Sequence, residues 1–188
     1  MNRVYLIRHG LTAGNEEKRY IGRTDQPLSL RGIDSLKGKN VPPADEIVVS
    51  PMLRCRQTAN LLFPGREYHI VVDFRECNFG TFEGKNYEEL SDDPNYVAWI
   101  ASNGKNKFPG GEDPQEFRKR CAAAFKKYMN ELPSDKSAAF IIHGGTIMAI
   151  LEAFDREQKN FYEYGLPNGQ GVETIWENGI LTVERLIW

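Results

Sequence analysis

A chain of 188 residues is long enough for one domain with a substantial core, and 40% hydrophobic with 27% charged residues are ordinary proportions for a soluble globular protein. A formal net charge of -2 and a pI near 6.0 exclude an overall basic surface, so nucleic acid is not an expected partner. A phosphate site is still compatible with that balance, because a few arginines in a crevice suffice.

The opening MNRVYLIRHG has four apolar residues before an arginine, too few for a signal peptide, and no segment approaches the ~18 apolar residues of a membrane span. A cytoplasmic protein with no membrane partner is expected. Val4, Tyr5, Leu6 and Ile7 form a short apolar run that reads as a buried strand of a parallel sheet. Ile47, Val48 and Val49 repeat the pattern. A helix follows near Pro51 and carries Arg54, Thr58, Leu61 and Leu62. Between 68 and 74, Tyr68, Ile70 and Val72 alternate with their neighbours and predict a further strand containing His69, which is read as structural. The segment 84–112 is rich in Asn, Asp, Gly and Lys with scattered aromatics, and reads as an excursion over the sheet end, a candidate lid.

Residues 114–131 give the clearest helix, with Phe117, Cys121, Ala124, Phe125 and Tyr128 on one stripe that Leu132 continues. Asp113 can cap it, Pro114 suits its first position, and Glu116 is placed to reach back. Ala138 to Ile142 is another buried strand, and a helix through Ile147, Ile150 and Leu151 follows His143, Gly144 and Gly145. The C-terminal segment reads as a hairpin around Asn178-Gly179. Strands alternating with helices predict a three-layer α/β/α sandwich with a mainly parallel central sheet, built as a single domain over 1–188. Cys55, Cys77 and Cys121 form no CxxC pair and no zinc pattern, and are read as buried reduced thiols.

The chemistry rests on a constellation. His9 and His143 each end an apolar strand and each is followed by a glycine, Gly10 and Gly144, which keeps the backbone free where a ligand must approach. In open α/β sheets the ligand crevice lies outside the carboxyl ends of the strands, so both imidazoles are expected to face one crevice. Arg8 precedes His9, and Arg54 opens the helix after another strand. Two guanidiniums and two imidazoles suit a dianionic phosphoryl group. Asn15 adds a neutral donor, and Glu76 could supply the proton that a leaving group needs. A strand-end histidine taken alone is usually a hydrogen-bonded structural residue, and Arg54 or Glu76 alone is an ordinary surface charge. Their joint occurrence carries the reading.

In order along the chain stand Arg8-His9-Gly10-Leu11-Thr12 with Asn15, Gly22-Arg23-Thr24-Asp25, Ser50-Pro51 with Arg54 and Gln57-Thr58-Ala59, Glu76 with Phe79-Gly80 and Phe82-Glu83-Gly84, Pro109-Gly110-Gly111-Glu112, and Ile142-His143-Gly144-Gly145. This ordered set resembles the histidine phosphatase superfamily, in the branch containing cofactor-dependent phosphoglycerate mutases and small bacterial phosphatases. The resemblance implies a phosphoglycerate mutase-like fold and a phosphomonoesterase acting on a small phosphorylated metabolite through a phosphohistidine on His9. It implies Glu76 as proton donor, Arg8, Arg54 and His143 as holders of the phosphoryl group, and Asn15, Gly22 and Gly144 as substrate-site positions. No metal and no cofactor is expected, and three histidines without HxH or HxxxH supply a metallohydrolase poorly.

Ser29 to Leu36 keeps the family's glycine at Gly32 but loses its usual Gln-Ala continuation, and Asp113 stands where many relatives carry serine. Three other readings follow from the same motifs: an α-ribazole-5′-phosphate phosphatase of cobalamin synthesis, mutase-type phosphotransfer, and a non-catalytic module that binds a phospho-ligand. The chain length favours phosphatase over mutase, because family mutases carry larger insertions. Tyr87, Tyr96, Trp99 and Phe108 are candidates either for an aromatic wall around a ring-bearing leaving group or for anchors of the excursion.

Overall fold

The computed structural model describes residues 1–188. Its centre is a six-stranded sheet in the order β3-β2-β4-β1-β5-β6, comprising β1 (Asn2–Arg8), β2 (Glu46–Val49), β3 (His69–Ile70), β4 (Ala138–Ile142), β5 (Gly171–Glu177) and β6 (Ile180–Leu186). The first four are mutually parallel, and β5 and β6 add an antiparallel edge. The continuous apolar runs have a simple cause: β1 and β4 are covered on both faces. Val4, Leu6, Phe140 and Ile142 enter one core, whereas Tyr5, Ile7, Ala139 and Ile141 enter another.

The first core lies under α5 (Pro114–Glu131) and α6 (Gly144–Phe154), with Phe125, Met129, Ile147 and Ile150 packed on the sheet. The second lies under α2 (Leu30–Leu36) and α3 (Leu53–Leu62), through Leu36, Cys55, Ala59 and Leu62. Three layers result, as the patterning predicts. The other helices are α1 (Ala13–Glu16) and α4 (Pro94–Ala101).

Local signals behave largely as read. The Asp113 carboxylate accepts from the Gln115 and Glu116 N–H groups at 2.8 and 3.4 Å, with Pro114 at the first helical position. Glu116 pairs with Lys119 at 2.9 Å instead of reaching back to the cap. Asn178 and Gly179 take φ of 52° and 82°, the left-handed pair that a tight hairpin turn demands. All three cysteines are free and buried. Ile187 and Trp188 pack on the second core of their own chain.

The edge of the sheet corrects one expectation. The strand predicted over 68–74 is only His69–Ile70, both exposed, and a 3₁₀ turn over Val72–Phe74 replaces the rest. An edge strand needs few partners, and the turn buries Phe74 and brings Glu76 back over the sheet end. In α3, Leu61 faces outward at 40% exposure, while Leu62 fills the core.

Candidate active site

The parallel pairing of β1 with β4 sets Arg8 opposite Ile142, so His9 and His143 leave the sheet side by side at the carboxyl ends of central strands. Their ring centroids are 5.1 Å apart with an interplanar angle of 68°. The His9 Nδ1 lies 2.7 Å from the Gly10 carbonyl oxygen. A carbonyl only accepts, so Nδ1 carries the proton and Nε2 keeps its lone pair. The His143 Nε2 is 2.7 Å from the Ser50 hydroxyl, at the end of neighbouring β2. Both rings are buried. Burial, then the Arg54 and Arg8 guanidiniums, hold the His9 pKa well below the usual histidine range. His143 is pushed down in the same way by burial, Arg54, His9 and Arg8.

Arg54 is fully buried in the first turn of α3, where it donates to the Thr24 and Gly22 carbonyls at 2.9 and 2.8 Å. Arg8 Nη1 donates to the Leu166 carbonyl at 2.5 Å. The Nε of each arginine is buried and meets no protein acceptor. Such donors are costly unless an anion serves them. Gly144 leaves room for Arg8, since a Cβ there would stand 3.1 Å from the guanidinium carbon and oblige it to shift. Gly10 has a different reason from the one its position suggests. A Cβ there would meet Leu36 Cδ1 at 2.9 Å, Leu28 Cδ2 at 3.2 Å and the Gly32 carbonyl at 3.3 Å, so it would press on core packing and not on a ligand.

Glu76 accepts from the Cys77 and Gly145 N–H groups, one to each carboxyl oxygen, at 2.9 and 3.0 Å. Burial raises its pKa despite those bonds and despite Arg54 and Arg8 nearby. An added Cβ on Gly145 would lie 2.4 Å from the Glu76 Oε1. Gly145→Ala is therefore expected to displace the carboxyl and lower kcat by about 10²-fold. Alanine suits this helical position, so the thermal melt should not fall with the activity. Steady-state kinetics beside a melt separate the two effects.

Asn15 Oδ1 accepts from the Thr12 N–H and the Asn168 side chain, at 3.2 and 3.1 Å, which leaves its amide N–H groups for the cavity it lines. Gly22 has no free backbone group: its N–H donates to Glu83 at 3.1 Å and its carbonyl accepts from Arg54. The same carboxylate accepts from the Arg23 N–H and the Thr24 hydroxyl, at 2.8 and 2.9 Å. Glu83 thus clasps the loop on which Arg54 rests. His69 lies apart from the site, paired with Glu46 at 2.9 Å.

The model of the histidine phosphatase superfamily (branch 1) matches residues 4–188. The chain belongs to this family. It is 28% identical over 158 residues to the adenosylcobalamin/alpha-ribazole phosphatase of Salmonella typhimurium, covering 79% of this chain and 77% of the relative. Identity to the probable phosphoglycerate mutase GpmB of Escherichia coli O1:K1 / APEC is 30% over 153 residues, covering 77% of this chain and 70% of that one. A solved structure of a putative alpha-ribazole-5′-P phosphatase from Escherichia coli superimposes with a TM-score of 0.87 at 23% identity, covering 98% of this chain and 95% of that one, and so shows the fold. This histidine phosphatase is a phosphoric monoester hydrolase. No group of three or more His, Cys, Asp or Glu side chains is arranged to hold a metal ion, and no helix is long and apolar enough to cross a membrane.

Sequence reasoning missed part of the candidate site. The Ser50 contact with His143 lay within a quoted motif but was given no role. Asn168 and Gly169 brace the backbone of the loop that carries His9, where Gly169 N–H meets the Arg8 and His9 carbonyls at 3.1 and 3.0 Å. Their Asn-Gly dipeptide is a turn signal that could have marked them.

Proposed function

We propose that this enzyme hydrolyses small-molecule phosphomonoesters through a phosphohistidine on His9, without a metal or other cofactor, as a single-domain cytoplasmic protein. The observation that carries the reading is the fixed His9 ring, with Nδ1–H held by Gly10 and Nε2 left as a nucleophile beside His143. A neutral imidazole is required for attack, and the depressed His9 pKa supplies it. Arg8, Arg54 and His143 hold the transferring phosphoryl group. The two guanidiniums are fixed positive charges, which act most strongly on the transition state. His143, its pKa pushed down in the free site, gains a proton only as the phosphate dianion draws it. One preorganised donor contributes only ~2.7–4 kcal/mol, so several must act together.

The chemistry divides one displacement into two. His9 Nε2 bonds to phosphorus as the ester oxygen departs, and Glu76 gives that oxygen a proton. Water then attacks the phosphohistidine while Glu76 takes a proton back, which returns His9 and releases phosphate. Glu76 must begin protonated, and its raised pKa agrees with that demand. Asn15 and Gly144 line the substrate crevice, and Gly22 acts through the loop that seats Arg54.

Phosphate release from p-nitrophenyl phosphate is expected to survive excess EDTA. For an alkyl phosphate, whose departing alkoxide needs a proton, the pH profile of kcat/KM should be bell-shaped. Its acid limb reports protonation of His9 and lies well below pH 6.5. Its alkaline limb reports loss of the Glu76 proton and lies above pH 4.5. Abolition by EDTA, or activity that rises steadily to alkaline pH, would contradict the reading. For the natural substrate, the names of the Salmonella and Escherichia coli relatives make α-ribazole 5′-phosphate the first metabolite to assay.

A further inference from the structure

A cavity of about 270 Å³ opens from the catalytic end of the sheet. Arg8, Asn15 and Glu76 line its near end, and the far walls come from Tyr20, Phe79, Trp99, Phe108, Phe161 and Tyr162. The segment 84–112 supplies Trp99, Gly104 and Phe108, while Arg118 comes from α5 and Tyr162 from the turn over Phe161–Tyr164. Of the four aromatics singled out in the sequence, Trp99 and Phe108 belong to this wall. Tyr96 is a buried anchor, and Tyr87 is 51% exposed.

The far end has a distinct chemistry. Trp99 Nε1 and Arg118 Nε are buried donors with no acceptor in the protein. The Arg118 guanidinium carbon sits over the Phe161 ring, 3.9 Å from its centroid. Its charge is met by Glu152 at 3.0 Å, and Arg19, at another wall, is met by Glu17 and Glu89, each at 2.5 Å. A second phosphate or a carboxylate on the substrate therefore finds no unpaired cation there. A flat, neutral ring finds aromatic faces, and an acceptor on that ring finds two unserved donors. The cavity is close to the lower end of ligand-pocket sizes, roughly 300 Å³, which suits one or two rings and no more.

We propose that this cavity is the leaving-group pocket and that it selects phosphomonoesters whose alcohol carries a flat, neutral ring with a hydrogen-bond acceptor on its far edge, with Trp99, Arg118 and Tyr162 determining that specificity. The proposal rests on the phosphoryl group being transferred at His9, with Glu76 facing the ester oxygen. Gly104 belongs to the same device. Its φ is 72°, and a Cβ there would stand 2.0 Å from the Tyr162 hydroxyl, so a side chain would push the tyrosine out of the wall.

The test compares kcat/KM for 4-acetylbenzyl phosphate, benzyl phosphate, glycerol 3-phosphate and 3-phosphoglycerate, esters of alkyl alcohols that all need a proton to leave. The wild type is expected to prefer benzyl over glycerol phosphate by about tenfold or more, and acetylbenzyl over benzyl by about another tenfold. 3-Phosphoglycerate should be the poorest. Trp99→Phe, which keeps a ring and removes the N–H, should lower the acetylbenzyl-to-benzyl ratio, mainly through KM. Tyr162→Ala, at a half-exposed position that folding tolerates, should lower the benzyl-to-glycerol ratio. Equal rates on all four esters, or variants that lower every rate by one factor, would overturn the proposal. His9→Ala in the same assay separates the two levels. Equal wild-type rates that this substitution abolishes remove the pocket inference and keep the mechanism, whereas rates that survive it remove the mechanism. Folded wild type that releases phosphate from none of the esters contradicts both.

Discussion

His9→Ala is expected to lower kcat by about 10⁴-fold or more, with KM changed far less. The asymmetry follows from the division of labour. In the proposed mechanism Arg8 and Arg54 remain to bind the phosphoryl group, while the nucleophile is gone. The fold should survive, because the His9 side chain makes one hydrogen bond, to Gly10, and is crowded by like-charged neighbours when protonated. Release of inorganic phosphate, measured beside a thermal melt, checks both parts. A folded His9→Ala enzyme with a substantial share of wild-type kcat would falsify the assignment of the nucleophile.

Glu76→Gln should act differently on different substrates. With an alkyl phosphate the departing alkoxide needs a proton at once, so steady-state turnover should fall by about 10²–10⁴-fold. The phenolate of p-nitrophenyl phosphate leaves unassisted, so the first turnover should persist. Activation of water then fails, and the phosphoenzyme accumulates. A rapid burst of nitrophenol followed by slow turnover is the expected record. Equal losses on both substrates, without a burst, would leave Glu76 a structural carboxyl that accepts from Cys77 and Gly145.

What the sequence disclosed divides along physical lines. β1 and β4 were legible because both faces are buried, which leaves uninterrupted apolar runs such as Ala138 to Ile142. The edge near His69 was not, because the Tyr68, Ile70 and Val72 alternation does not distinguish a strand from a turn that packs one residue, here Phe74, into the core. His9, His143, Arg8 and Arg54 announced themselves by position at strand and helix ends. Their shared location required the β1–β4 pairing, a contact between residues more than a hundred positions apart. The roles of Ser50 and Asn168 and the donors of the pocket depend on such long-range contacts too. Arg118 looks in sequence like an ordinary helix residue, Trp99 reads equally as a wall or an anchor, and only the meeting of α4 and α5 with the 161–164 turn makes them walls of one cavity.

The central claim is the covalent intermediate. The enzyme would be mixed with p-nitrophenyl phosphate in excess EDTA, quenched under alkaline conditions that preserve phosphohistidine, digested and read by mass spectrometry. The account predicts a phosphoryl group on the peptide containing His9, accumulating further in Glu76→Gln and absent from His9→Ala. An active enzyme in which no phosphoryl adduct forms at any time, or in which the adduct sits on another residue, would contradict it.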